Sequence, residues 1–379
     1  MVLDPKYDIA IVGGGLAGLA LSIQCARAGY RTVLFEREKY PFHKVCGEYI
    51  SLESWNFLEE LGVPLSDMQL PLITRLQVSA PNGKYIESAL PLGGFGISRY
   101  TLDNLLVNIA RRDGVTVLEE TKVVNVVYRN NVFVVFSSRG ETEAKVVAGT
   151  YGKRSNLDAK WKRPFTQVKP NKLNHYVGIK YHIEGVFPEE MIALHNFENG
   201  YCGISQVEGN KYCLCYLTTA HNLRKSHNDI AAMERSILQK NPFLEKIFSQ
   251  AKFLYAEPLT VSRISFNSKN QVENHVLMIG DAAGMITPLC GNGMSMALHG
   301  SKLAFEEISQ FMKGHISRYE MELQYTQQWE RQFARRLQAG RLIQRFFGST
   351  SLSNFLITTV KPFPKLVFFL IRQTHGKPF

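Results

Sequence analysis

Between Tyr7 and Val12 the chain is almost continuously apolar, the pattern of a short strand buried on both faces of a parallel sheet. A glycine-rich turn follows. Apolar residues then recur at helical spacing from Leu16 to Ala28 and stop at Gly29, a helix-ending residue. Thr32 to Phe35 reads as a second strand and closes on Glu36. In the middle of the chain the period changes to two. Tyr176 to Ile183, Ile192 to Phe197, Tyr201 to Val207, Lys211 to Thr218 and Leu254 to Val261 alternate as strands, with Ile230 to Gln239 as a helix across them. Thr74 to Pro91 is expected to join the same sheet. From Arg318 to Phe347 the pattern is helical again, with Tyr325, Trp329, Phe333 and Leu337 at steps of four forming an apolar stripe.

These patterns predict an α/β fold: a Rossmann-like domain with a second, largely antiparallel β-sheet domain and a helical C-terminal tail. The first is assembled discontinuously from residues 1–73, 92–169 and 269–317, the second from 74–91 and 170–268, and the tail is 318–379. A chain of 379 residues is longer than one core usually serves. With 45% hydrophobic and 20% charged residues it has the composition of a globular protein.

Composition changes this picture at three points. The start, MVLDPKYDIAIVGGG, lacks the form of a secretory leader, so a cytoplasmic protein is expected. Six scattered cysteines without a CxxC pair read as reduced thiols, and no metal site is expected. The net charge of +11 is uneven: Arg331 to Phe379 holds nine Lys/Arg and no Asp or Glu, interleaved with phenylalanines. That mixture fits either a tail packed on the body or peripheral contact with an anionic membrane. Lys361, Pro362, Pro364 and Lys365 interrupt the one stretch long enough to consider as a span, and no nucleic-acid module is present.

The turn Gly13-Gly14-Gly15-Leu16-Ala17-Gly18 satisfies GxGxxG between two strand-like runs and opens a helix. Gly13 permits the tight turn, Gly15 admits a pyrophosphate close to the backbone, and Gly18 lets the helix approach the sheet. The helix start, with Leu16 and Ala17, offers free N–H groups to the phosphates. Glu36 stands where an acid would accept ribose hydroxyls and repel a 2′-phosphate. The unit implies a dinucleotide without choosing between NAD and FAD.

Three further motifs make the choice. They are Lys44-Val45-Cys46-Gly47-Glu48; Ser98-Arg99-Tyr100-Thr101-Leu102-Asp103; and His275-Val276-Leu277-Met278-Ile279-Gly280-Asp281 followed by Pro288 and Gly291-Asn292-Gly293-Met294. With them, residues 1–310 resemble the geranylgeranyl-reductase branch of the flavoprotein superfamily that also holds aromatic-ring monooxygenases of the para-hydroxybenzoate-hydroxylase fold and flavin-dependent halogenases. The resemblance implies bound FAD, with NADPH or NADH as electron donor. It implies cofactor contacts from Arg37, Lys44, Gly47, Arg99, Val123, Gly152, Gly280, Asp281 and Pro288 besides the GxGxxG residues and Glu36. Asp281 would hold ribityl or ribose hydroxyls, and Gly291, Asn292, Gly293 and Met294 would face the flavin pyrimidine ring. Cys46, with Gly291 to Gly293, is the catalytic candidate: either the nearby Lys44 favours its thiolate, or it is a small residue that fits beside the isoalloxazine ring; Cys290 would also lie near the flavin.

Some stretches depart from these relatives. Gly149-Thr150-Tyr151-Gly152-Lys153-Arg154-Ser155 has a Tyr where ring hydroxylases carry an Asp, which weakens their mode of nicotinamide docking. Leu19 follows Gly18 and no WxWxIP stretch exists, which argues against tryptophan-type halogenation. Phe197 to Ser205 keeps Tyr201 of a prenyl-reductase segment but has Gly203 for its Trp. His195, Tyr201 and Tyr212 are the candidates to touch substrate. The expected activity is an FAD-dependent oxidoreductase acting on a small lipophilic molecule, reducing C=C bonds of an isoprenoid or polyketide-like compound. The alternatives are a monooxygenase working through a C4a-hydroperoxide and a non-catalytic binder of lipidated partners.

Overall fold

The computed structural model describes residues 6–168, 175–346, 349–373 and 375–379; the opening of the second domain at 170–174 and Phe347 of the expected long helix lie outside them. Tyr7–Val12 forms the centre of the first sheet, paired in parallel with Thr32–Phe35 on one side and Gly140–Gly149 on the other. Thr116–Leu118 extends the sheet on one side and Val276–Met278 on the other, also in parallel, with Val272–Glu273 antiparallel beyond the latter, while the Val123–Arg129 and Val132–Ser137 hairpin is an antiparallel attachment. Because strand residues here are covered on both faces, a near-continuous apolar run is what the position demands. Leu16–Arg27, Arg99–Arg112 and Gly293–Met312 cover the sheet, and the Tyr325, Trp329, Phe333, Leu337 stripe of Arg318–Phe346 is buried in the same core. Parallel strands ending on one line bring Val12, Phe35, Gly149 and Met278 together at their carboxyl ends, where a ligand crevice is expected.

Among the described residues the second sheet has nine strands, all antiparallel except for the pairing of Met191–Phe197 with Leu72–Ser79. It is wider than the periodicity implied. Tyr49–Ser51 joins it through Tyr85–Gly96, so the loop after Glu36 enters this sheet. The strand expected over Leu254 to Val261 is corrected: Lys252–Phe253 and Leu259–Ile264 are separate strands on the same neighbour, with Leu254 to Pro258 between them. The helix expected to Gln239 ends at Ser236 and continues as a 3-10 turn over Leu238–Lys240.

Alternation divides this sheet into two faces. Tyr212, Leu214 and Tyr216 pack with Met233, Leu238 and Leu244 under the Ile230–Ser236 and Pro242–Gln250 helices. The opposite face contributes Leu194, Tyr201 and Leu217 to a cluster with Val78, Ile264, Phe266, Leu289 and Ile357. Leu289 belongs to the turn before Gly291, so this second face looks toward the crevice of the first domain. The tail ends in two helices, Thr350–Val360 and Pro364–Arg372.

Candidate functional site

The GxGxxG turn leaves no room for side chains at three of its glycines, Gly13, Gly14 and Gly18, a Cβ on Gly14 lying 1.8 Å from the Tyr40 hydroxyl. Gly13 has φ +110°, and a Cβ there would lie 2.6 Å from Tyr151 Cα; a Cβ on Gly18 would lie 2.1 Å from the Gly13 carbonyl. Gly15 differs, since its Cβ would meet only an Arg99 guanidinium nitrogen at 3.7 Å. The turn is therefore shut toward the sheet and open toward the crevice. Leu16 and Ala17 are buried in the first helical turn, whose N–H groups have no partner inside the helix. Glu36 accepts from the backbone N–H of Gly14 at 2.8 Å and of Glu38 at 3.0 Å, which fixes the acid against the turn. Tyr40 hydroxyl donates to the Gly14 carbonyl at 2.5 Å. Arg37 is exposed and pairs with Glu38, and Val123 is a core residue whose carbonyl accepts from Asn156.

Cations gather beside the turn. Arg99 opens its helix and grips Asp103 through two bonds of 2.8 Å, while Lys44 reaches the same carboxylate at 2.9 Å. Burial alone would raise the Asp103 pKa, but Arg99 and Lys44 outweigh it and hold it below the usual carboxylate range. The three groups sum to one net positive charge, next to Gly15.

At the far edge Gly280, with φ +63°, presents Asp281. Burial raises the Asp281 pKa against the pull of Lys269, Arg99 and Lys153. Lys153 points inward rather than to the surface. Burial lowers its pKa to about 8, and its ammonium has no hydrogen-bond partner. Tyr151, in the place of the ring hydroxylases' Asp, donates to Asp158 at 2.9 Å within a buried group completed by Arg163. Gly152 has φ +80° and open space around it. Pro288–Cys290 is a 3-10 turn, Gly291 has φ +67° against the Tyr49 ring, and the buried Asn292 immediately precedes Gly293–Met312, whose first residues include Met294.

Between the two sheets lies a group that pattern reading missed. Glu48, fully buried with φ +56°, accepts from Lys180 at 2.5 Å, His182 at 2.6 Å and the Arg99 backbone N–H at 2.8 Å. Lys180 also donates to the Lys44 carbonyl, and the Cys213 thiol donates to the Cys46 carbonyl. Burial would raise the Glu48 pKa, yet His182 and Lys180 hold it below its ordinary value. The loop 44–48 is thus fastened to the second sheet and, through Lys44 and Arg99, to the first domain. Glu48, His182 and Cys213 have the donor types of a metal site, but Lys180 and Cys46 already engage them. A signal existed in the sequence: Gly178, Lys180 and His182 share one face of an otherwise apolar strand, where an unpaired ammonium and an unpaired imidazole would be costly.

Three expectations are corrected. His195 lies on the face turned away from the crevice, bonded to Ser79 and stacked on Phe243, and burial lowers its pKa to about 3. Tyr212 lies on that same outer face and donates to the Phe187 carbonyl at 2.7 Å. Strand parity removes both from substrate, whereas Tyr201 has the opposite parity and sits near Leu289. Cys46 is not activated by Lys44, whose ammonium is committed to Asp103; burial pushes the thiol up, against Arg99 and Lys180. Cys290 is likewise pushed up to about 11 by burial.

A dinucleotide suits this edge on two structural grounds. The backbone at Gly15 is open, and a buried Lys153 ammonium lacks a partner beside Asp281. Comparison with known proteins agrees. The family model described as FAD binding domain matches residues 6–338. Conditioned medium factor receptor 1 of Dictyostelium discoideum is 25% identical over 335 residues, 79% of this chain; the chain spans 62% of that relative's length. Digeranylgeranylglycerophospholipid reductase of Methanococcus vannielii is 24% identical over 355 residues, 86% of this chain and 83% of the relative. Among solved structures, flavin-dependent brominase Bmp2 superposes with a TM-score of 0.78 at 19% identity, covering 97% of this chain and 93% of that one, a likeness of fold.

Proposed function

The chain belongs to the FAD-binding domain family, and on that premise we propose that this FAD-dependent oxidoreductase reduces carbon–carbon double bonds of an isoprenoid or polyketide-like molecule, with NADPH or NADH as electron donor. The observation that carries the reading is the apolar face formed by Leu194, Tyr201, Leu217, Ile264 and Phe266, which meets Leu289 at the turn before Gly291. A digeranylgeranylglycerophospholipid reductase among the relatives supports a long unsaturated chain as the substrate.

FAD supplies the redox chemistry when bound and reduced. The protein's part is to bind, orient and keep water out. The open N–H groups after Gly15, with the net positive charge of Lys44, Arg99 and Asp103, receive the diphosphate. Glu36 keeps lone pairs for ribose hydroxyls while the Gly14 and Glu38 amides fix it, and Asp281 takes the ribityl side with Lys153 as its counter-charge. The amino end of Gly293–Met312 aims its dipole at the crevice, where it stabilises negative charge. The apolar face beyond it lays a lipid chain alongside and excludes water from it.

The test is anaerobic reduction of the purified yellow protein by NADPH and by NADH, followed by incubation with unsaturated isoprenoid lipids and mass spectrometry. The expected product is heavier by two hydrogens per double bond. A product that gains an oxygen atom from O₂ on aeration, with no saturated product, overturns the reading in favour of a monooxygenase.

A further inference from the structure

The two tail helices bury little. Of Thr350–Val360 only Ser353 and Ile357 are buried, and of Pro364–Arg372 only Val367. Phe355, Phe363 and Phe369 are exposed by 64%, 59% and 56%, with Leu366, Phe368 and Leu370 beside them. Every exposed phenylalanine among the described residues lies between 355 and 369. An aqueous surface does not collect phenylalanines in this way without something to cover them.

Their own segment of the chain is cationic. Lys361, Lys365, Arg372 and Lys377 are exposed, and no acid occurs from Arg331 to the end of the chain. The helices meet at 117°, and neither is long and apolar enough to cross a membrane. A nine-residue helix reaches only about 14 Å, less than half of a hydrocarbon core of about 30 Å. Short helices with aromatic and aliphatic residues exposed together and lysines around them are built to lie in an interface.

We propose that Thr350–Val360 and Pro364–Arg372 form a docking face for the surface of an anionic phospholipid bilayer. Charge selects this occupant. A second copy of the chain would set lysines and arginines against the same cations, whereas anionic headgroups neutralise them while the phenylalanines enter the acyl boundary. The inner side of the same element gives the docking a use. Ile357 packs into the cluster of Tyr201, Leu217 and Leu289, so one helix touches the bilayer outside and the apolar wall of the crevice inside. An adjoining groove of about 440 Å³, lined by Glu87, Ser88, Ala89, Pro364, Lys365 and Phe368, opens at the same edge. The docking itself does not depend on which reaction the flavin performs.

The test is co-sedimentation of the FAD-loaded full chain with phosphatidylcholine vesicles, with and without one-third phosphatidylglycerol, at low and high salt. The expected result is binding to the anionic vesicles that weakens with salt. It should fall at least about tenfold in the triple variant Lys361→Glu, Lys365→Glu, Arg372→Glu and in Phe363→Ser, Phe368→Ser, Phe369→Ser. Hydrogen exchange on the unaltered protein gives a second readout, with new protection at 355–370 on adding anionic vesicles. The proposal fails if the unaltered protein stays in the supernatant and 355–370 gains no protection. It also fails if light scattering finds a lipid-free dimer that the phenylalanine variant dissolves. A protein that keeps its FAD and reduces soluble substrates but ignores vesicles would refute the docking face alone.

Discussion

Replacing Lys180 by Met tests the buried group between the sheets. The ammonium and the Glu48 carboxylate are 2.5 Å apart, with 1% and 0% of their side chains exposed. Taking away one partner of such a pair leaves a carboxylate in a dry site with His182 and one amide. Breaking a buried ion pair this way costs about 3–5 kcal/mol. The sign with pH also follows. Glu48 is held below its ordinary pKa, so wild-type protein has this contribution in full above the unfolded value of about 4.3 and loses it as pH falls through the folded value. In Lys180→Met the Glu48 pKa moves up. The acid loss then begins at a higher pH, and above it the ionised carboxylate is a burden. Urea unfolding at pH 7.5 and across the acid range measures both effects. The double variant Lys180→Met, Glu48→Gln should recover part of the loss, because it removes the stranded charge. A single variant within about 1 kcal/mol of wild type at pH 7.5, or a double variant no more stable than the single, would refute the reasoning.

Two other outcomes separate the site from its scaffold. Tyr212→Phe should cost about 1 kcal/mol of stability for its lost bond to Phe187 and leave KM unchanged, while Tyr201→Ala should raise KM for a lipophilic substrate; the opposite pairing would reverse the assigned faces. The Lys153 ammonium, with its pKa lowered to about 8, is lost as pH rises through that value, so FAD affinity by fluorescence titration should weaken above pH 8 in wild type and stay flat in Lys153→Met, and equal slopes in the two proteins would remove Lys153 from the cofactor site.

Local chemistry made the first domain legible. The run Tyr7 to Val12, the glycine spacing, Glu36 and the Gly280-Asp281 turn are each set by neighbours close in sequence, and the observed Tyr7–Val12 and Thr32–Phe35 strands have the expected bounds. The alternation of the second sheet was equally plain, but its parity was not. Alternation says that His195 and Tyr201 lie on defined faces without saying which face is covered by helices, and that depends on Ile230–Ser236 and Pro242–Gln250 crossing one side. The Glu48 group was hidden for another reason. Its partners are 132 and 134 residues away, so only the closure of the two domains brings them together. Cys46 shows the limit of proximity arguments: Lys44 is two residues away in sequence, yet its charge is spent on Asp103.

The Glu48 staple also makes the molecule mechanically lopsided. A bulky ligand that tried to lift the second sheet off the first domain along loop 44–48 would have to strip a buried carboxylate of an ammonium, an imidazole and an amide at once. On the opposite border the cover is a helix anchored by Ser353 and Ile357, with little else buried. Any adjustment of the crevice to what it holds therefore falls to that loosely held border, while the side fastened by Glu48 stays fixed.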